Sequence, residues 1–134
     1  MALGVQGPNA PTTTTPASRD PLVKIGKLEV ADNATAFAAF VLPKHAFIAG
    51  VYTLSMGANT TQTIVAGFTS GGNDLLTAFA PNSTGYDTTG AATGTAVGTQ
   101  LTADKTVYLK ASAALTNPVY VKVEYYIPPV GQAF

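Results

Sequence analysis

Histidine is the side chain most often used for acid–base catalysis, and this sequence contains one, His45. A hydrolytic site would place a nucleophile and an orienting acid beside it. Candidate partners of the right residue types are Ser55, Ser70, Ser83 and Asp74. No Gly-x-Ser-x-Gly motif is present and no spacing selects a triad, so a solvated turn histidine is favoured over a small hydrolase. The sequence predicts no catalytic residues and no enzymatic activity.

The acidic residues are dispersed along the chain rather than paired. They are Asp20, Glu29, Asp32, Asp74, Asp87, Asp104 and Glu124. A glycosidase needs two carboxyl groups facing each other across a cleft, and no motif selects such a pair. Asp32, Asp74 and Asp104 follow or precede small residues at the ends of predicted strands, where carboxylates usually accept backbone N–H bonds in turns. That role is favoured over calcium binding, and neither a metal nor a cofactor is predicted.

Two short patterns have simple explanations. Gly90, Gly94 and Gly98 repeat every four residues, but they stand in a Thr-rich loop and are not followed by Gly-Lys-Ser or Gly-Lys-Thr, so a phosphate site is unsupported. Asn33, Asn59 and Asn82 begin glycosylation sequons, which are frequent by chance in a chain with 20 threonines.

Three tyrosines, Tyr108, Tyr120 and Tyr126, could form an exposed aromatic row on the last two predicted strands. Such rings stack on sugars, and they also anchor protein interfaces or pack against lysine stems. Interface or sheet packing is favoured over a sugar site.

The composition narrows the function further. Of 134 residues, 46% are hydrophobic, 10% are charged with seven basic and seven acidic, and none is cysteine. No disulfide or zinc–thiolate site is therefore possible, and a net charge of zero gives no general attraction for nucleic acid or anionic membranes. The longest apolar stretch, 46–58, is too short to span a bilayer.

The chain divides into three predicted regions. Residues 1–21 contain four prolines and a run of threonines, and are expected to form an extended arm that lies against another chain. Residues 22–127 are expected to form the folded domain, and residues 128–134 a C-terminal tail. Residues 1–21 are called the N-terminal arm.

The folded domain is predicted to be all-β, because Thr, Val, Ile, Tyr and Phe dominate segments that turn residues interrupt every eight to twelve positions. Eight short strands imply an antiparallel β-sandwich of jelly-roll type. The predicted strands are 22–31, 35–42, 46–56, 62–68, 75–80, 95–101, 105–112 and 119–127. Residues 81–99 are expected to form a long loop that is functional or held by a partner.

The last two strands have the clearest alternation, with Val119, Val121, Val123 and Tyr125 on one face. A hairpin is predicted between them, with Leu109 opposite Val121 on the buried face.

Near the start of the domain the apolar alternation breaks. Val23 and Ile25 have one parity and Leu28 and Val30 the other, so a bulge or sharp bend at Gly26 is expected to return both pairs to the core. Strands 35–42 and 46–56 are apolar on both faces, which predicts a sheet covered on one face by a neighbouring molecule.

Several segments together resemble the capsid decoration, or cement, proteins of tailed bacteriophages. They are 42–51 (LPKHAFIAGV), 70–76 (SGGNDLL), 101–111 (LTADKTVYLKA) and 119–126 (VYVKVEYY). The resemblance spans about residues 24–127 and lies in the general character of these segments and in the order of the predicted strands. It implies a jelly-roll-like sandwich on the outer capsid surface, often a trimer, that joins neighbouring subunits and has no catalytic residues.

The expected function is therefore that of a virion structural protein, made in the host cytoplasm, that binds the major capsid protein and forms a homotrimer. The residues expected to bind the partner lie at the two ends of the chain: Leu3, Val5, Pro8, Pro11, Val130 and Phe134. The alternative is a tail-fibre or lectin-like carbohydrate-binding module that uses Tyr108, Tyr120 and the 81–99 loop.

Overall fold

The computed structural model describes residues 20–30, 34–59, 61–81, 85–88 and 93–128, with the backbone alone for 85–88. These residues form eight β-strands and no helix. The strands are β1 (Leu22–Leu28), β2 (Phe37–Leu42), β3 (Phe47–Ser55), β4 (Ile64–Gly67), β5 (Leu76–Phe79), β6 (Gly85–Thr88), β7 (Lys105–Ala111) and β8 (Val119–Tyr126).

The strands form two antiparallel sheets of four. The first sheet has the order β1-β8-β3-β6, and the second has the order β2-β7-β4-β5. The pairs are therefore nested along the chain, as in a jelly roll: β1 pairs with β8, β2 with β7, β3 with β6 and β4 with β5. The predicted antiparallel β-sandwich is confirmed.

The core lies between the two sheets. Each sheet turns every second side chain inward, and the largest fully buried ones are Leu28, Leu42, Ile48, Ile64, Leu75, Leu76, Leu109, Val107, Val119, Val121 and Val123. On β8 the burial alternates strictly along the strand, with Val119, Val121, Val123 and Tyr125 inward as predicted.

The predicted hairpin between the last two strands is wrong. β7 pairs with β2 and β4 in the second sheet, whereas β8 pairs with β1 and β3 in the first. Leu109 and Val121 thus belong to opposite layers of the core, and the connection between them crosses from sheet to sheet with Leu115 buried. Alternation identifies the buried face of a strand, but it does not distinguish a strand beside it from one across the core.

The predicted bulge at Gly26 is also wrong. β1 pairs with β8 in continuous register, Ile25 opposite Lys122 and Gly26 opposite Val121. Gly26 faces the core, where a Cβ atom would lie 2.8 Å from Leu109 Cδ1 and 2.9 Å from Ala39 Cβ. Glycine is required because the second sheet occupies that space. Val23 and Ile25 consequently lie on the outer face and are exposed.

Bulges occur instead in β2 and β3, where the register shifts between Ala38 and Phe40 and between Ile48 and Gly50. The shift in β2 lets both Phe37 and Phe40 pack against the core. The bulges therefore account for much of the two-sided apolar pattern in these strands.

Two strand assignments near the long loop need correction. The predicted strand 95–101 is instead a turn over 95–98 with Gly98 at φ 88°, followed by backbone hydrogen bonds to residues 46–48 at the start of β3. The sequence prediction missed β6, which pairs with β3 inside the expected 81–99 loop.

Candidate interaction surface

The outer face of the first sheet carries an unusual mixture of residues. Tyr120 and Lys122 point outward from β8, since they alternate with the buried valines. The register places Ile25 of β1 and Tyr52 of β3 on either side of Lys122, and Leu54 of β3 beside Tyr120. Tyrosine, lysine and aliphatic side chains therefore alternate across this face.

Several large aliphatic side chains on this face are open to solvent. The exposed fraction is 46% for Val23, 57% for Ile25 and 36% for Leu54. Met56, which directly follows β3 with the parity of Leu54, is 55% exposed. Burial of an aliphatic side chain of this size is worth about 1.5–3 kcal/mol, so several of them exposed on one face favour contact with another protein surface.

The charges on this face neutralise one another. Lys122 Nζ lies 3.3 Å from Glu124 Oε2 and 4.9 Å from the centre of the Tyr52 ring. At the opposite edge of β8, Lys27 Nζ lies 5.5 Å from the centre of the Tyr120 ring.

Lys27 also lies 3.3 Å from Glu29 Oε1. The hydrogen bond and the charge of Glu29 raise the pKa of Lys27 above its ordinary value, and Tyr120 adds to the effect. Each of the two ammonium groups, on Lys27 and Lys122, therefore has a glutamate acceptor close by.

An open groove of about 160 Å³ crosses the centre of the face. It is lined by Ile25, Leu54, Tyr120 and Lys122, and its lining is almost entirely apolar. The arrangement suits an aliphatic side chain.

The outer face of the second sheet is different. Its open depression, about 230 Å³, has a lining of mixed polar and apolar residues: Thr63, Val65, Gly71, Lys110, Ala111 and Ser112. Val41, 49% exposed, is the most exposed large aliphatic side chain of this face within the described residues. The apolar surface is thus concentrated on the first sheet.

The predicted aromatic row does not form. Tyr108 belongs to β7 in the second sheet, while Tyr120 and Tyr126 belong to β8 in the first. The latter two are six residues apart on one strand, which separates them by roughly 20 Å. The carbohydrate-binding alternative required Tyr108 and Tyr120 together, and the fold places them on opposite sides of the sandwich.

The predicted partner-binding residues, Leu3, Val5, Pro8, Pro11, Val130 and Phe134, lie outside the described residues. Sequence reasoning assigned Ile25 to the core, whereas strand 46–56, which contains Leu54, was expected to meet a neighbouring molecule on one face. The parity break around Gly26 was the available signal for Ile25, and it was interpreted as a bulge.

Of the polar residues considered for catalysis, His45, Ser70 and Asp74 lie in turns or bends. His45 is exposed, occupies a turn at φ 74°, and its backbone N–H donates to Leu101 O at 3.0 Å. Asp104 Oδ1 accepts the Lys44 backbone N–H at 2.8 Å, which confirms its predicted turn role. Ser55 is buried in the core. Asp32 and Ser83 lie outside the described residues.

Asn59 joins two loops at one end of the sandwich. Its Oδ1 accepts the backbone N–H groups of Thr116 and Asn117 at 2.8 and 2.9 Å, and its Nδ2 donates to Asn117 O at 3.1 Å. Asn59 is fully buried, so its sequon is not accessible for glycosylation in the folded chain. The other two sequon asparagines, Asn33 and Asn82, fall outside the described residues.

Across the described ranges, no cluster of three or more His, Asp or Glu side chains could hold a metal ion. In the same part of the chain, no helix is long and apolar enough to cross a membrane.

No protein-family model and no curated protein matches the sequence. Among solved structures, the fold is similar to a chain of a structure described as the cyanophage Pam1 capsid asymmetric unit, with 19% sequence identity and a TM-score of 0.50. The superposition covers 92% of this chain and 98% of that one, so the likeness extends over two whole chains of similar length.

Proposed function

We propose that this protein is a non-enzymatic structural component of a bacteriophage virion, which decorates the outer surface of the capsid and stabilises it by bridging neighbouring capsid subunits. The observation that carries the proposal is the end-to-end likeness of its fold to a chain of the cyanophage Pam1 capsid asymmetric unit. The superposition covers 92% of this chain and 98% of that one, so the likeness extends over nearly the full length of both chains.

The outer face of the first sheet supports this role. Its exposed aliphatic groups, Ile25, Leu54 and Met56, provide the kind of surface that a flat protein–protein contact buries. Its lysines are already paired with neighbouring glutamates, so docking does not require a strongly charged partner.

The stabilising mechanism is linkage. A protein that binds the assembled lattice of the major capsid protein, and not the separate subunits, shifts the equilibrium toward the intact shell. A rigid sandwich provides one contact, and the N-terminal arm provides a second contact on an adjacent subunit, which raises the overall affinity through effective concentration. Three copies arranged as a trimer would multiply the bridged subunits.

The direct test is to delete the gene from its phage and heat the purified particles. Particles without the protein are expected to release their DNA at a lower temperature, and added full-length protein is expected to restore the wild-type temperature. Equal thermal stability of the two kinds of particle would contradict the stabilising role.

A matched pair of variants tests the arm. Protein lacking residues 1–21 is expected to keep the circular dichroism spectrum of a β-sandwich but to be missing from particles. The comparison variant, His45→Ala, changes an exposed turn residue and is expected to bind particles normally. Wild-type occupancy by the truncated protein would show that the arm does not contribute to binding.

A further inference from the structure

The groove on the outer face of the first sheet is a preformed site for small aliphatic side chains. It combines Ile25 and Leu54, both exposed, with the ring of Tyr120 and the stem of Lys122. We propose that in the free protein the N-terminal arm of the same chain occupies this groove with the side chains of Leu3 and Val5. The inference goes beyond the proposed function and does not depend on it.

The charges around the groove favour a neutral occupant. The Lys122 ammonium, the one charged group in the lining, lies 3.3 Å from Glu124 and close to the Tyr52 ring. An acidic occupant would compete with Glu124 for Lys122, and a basic one would be repelled. An uncharged aliphatic segment disturbs neither contact.

The N-terminal arm has this chemistry. Residues 1–18 contain no charged side chain, and the first is Arg19. Leu3 and Val5 are two positions apart, so in an extended chain they present their side chains on the same side. Gly4 between them adds no bulk that would prevent close approach to the sheet.

The point of attachment also favours this occupant. The arm leads directly into β1, which is the edge strand of the first sheet. Ile25 follows Leu22 by three residues, so the groove begins roughly 10 Å along the strand from the point of entry.

Sixteen residues separate Val5 from Leu22. A chain of that length can span at most roughly 50 Å, which exceeds the distance from the start of β1 to the groove. The tether gives an effective concentration on the order of millimolar, far above the concentration of a second copy in dilute solution.

Occupation of the groove by the arm would have a consequence for assembly. Leu3 and Val5 cannot occupy their own groove and a neighbouring subunit at the same time. Docking on a lattice would therefore release the arm and expose Ile25 and Leu54 together, so that both surfaces become available at the same step.

Paramagnetic broadening in the full-length protein tests whether the arm occupies the groove. The chain has no cysteine, so Gln6→Cys, which leaves Leu3 and Val5 in place, creates a unique attachment point for a nitroxide label. We expect the label to abolish the amide signals of Ile25, Leu54 and Tyr120, while those of Val41 on the second sheet remain. Uniform broadening, or none, would overturn the proposal.

Two further samples complete the test. In the labelled protein, Leu54→Asp or Ile25→Asp is expected to restore the lost signals, whereas the matched exposed change Val41→Asp is not. Unlabelled isotopically enriched protein mixed with labelled unenriched protein is expected to show no loss. Loss in that mixture would overturn occupation by the same chain in favour of a second copy. No capsid is present, so these outcomes are independent of the particle experiments.

Discussion

The two sides of the first sheet are built from the same strands and yet differ in nearly every respect. On the inner side, Leu28, Val121 and Val123 are fully buried and contribute to one continuous core. On the outer side, Ile25 and Leu54 are at least 36% exposed and are interspersed with charged pairs. Apolar character alone therefore does not decide which side of a strand is buried in this molecule.

Adjacent residues of β1 show what does decide it. Gly26 is buried because Leu109 and Ala39 of the second sheet already fill the position of its side chain. Ile25 has no such partner and is 57% exposed. Packing against the second sheet fixes the inward side of β1, and the aliphatic groups left outward are available for another surface.

The largest expected effect comes from comparing substitutions on the two sides of β1 by their free energies of unfolding. Gly26→Val is expected to lower the free energy of unfolding by about 1–3 kcal/mol, because its side chain would overlap Leu109 and Ala39. Ile25→Thr, one residue away, keeps a β-branched side chain on the outer face and is expected to change it by less than about 0.5 kcal/mol. Urea denaturation of both variants measures the difference.

The reverse result would refute the register. If Ile25→Thr were the costly change and Gly26→Val the neutral one, β1 would present the opposite side to the core. Ile25 would then face the core, and it could not belong to the exposed outer face of the first sheet.

The part of the fold that sequence predicted well is the part with strict alternation. On β8 four inward side chains alternate with polar outward ones, and no other periodicity fits that pattern. The existence of seven of the strands and the sandwich class followed from the same signal and from turn residues at regular spacing.

Strand pairing could not be predicted in this way. β7 and β8 both have an apolar inward row, and the same rows can lie side by side or face each other across a core. Nothing in Val107, Leu109 or Val121 distinguishes these two arrangements, since the decision depends on all the strands that fill the sheets between them.

The candidate surface was hidden for a related reason. A break in alternation such as that between Ile25 and Leu28 has two physical solutions, a bulge that buries both residues or a regular strand that exposes one. Only the clash that a side chain at Gly26 would make with the second sheet identifies the second solution, and that contact joins residues 83 positions apart.

A smaller effect is expected from the ring–ammonium contact on the outer side. Lys122 lies 4.9 Å from the centre of the Tyr52 ring, on a face partly open to water. A double-mutant cycle with Lys122→Met and Tyr52→Leu is expected to give a coupling energy of about 0.5–1 kcal/mol. The matched cycle, Lys110→Met with Tyr108→Leu on the second sheet, is expected to give a value near zero. Equal coupling in the two cycles would remove this distinction between the two sheets.

The smallest expected effect concerns the inner side and appears at alkaline pH alone. Burial raises the pKa of Tyr125 above its ordinary value of 10.0, because the charged phenolate is poorly solvated beside the core. Above about pH 10 the unfolded chain releases this proton more readily than the folded one, so the free energy of unfolding falls as pH rises. Tyr125→Phe removes the proton and is expected to lessen the fall. Its stability relative to wild type should be constant up to about pH 9 and should increase above pH 10. Parallel stability curves for the two proteins over the alkaline range would mean that the Tyr125 hydroxyl is solvated, and that the inner side of β8 is open to water at this end of the sandwich.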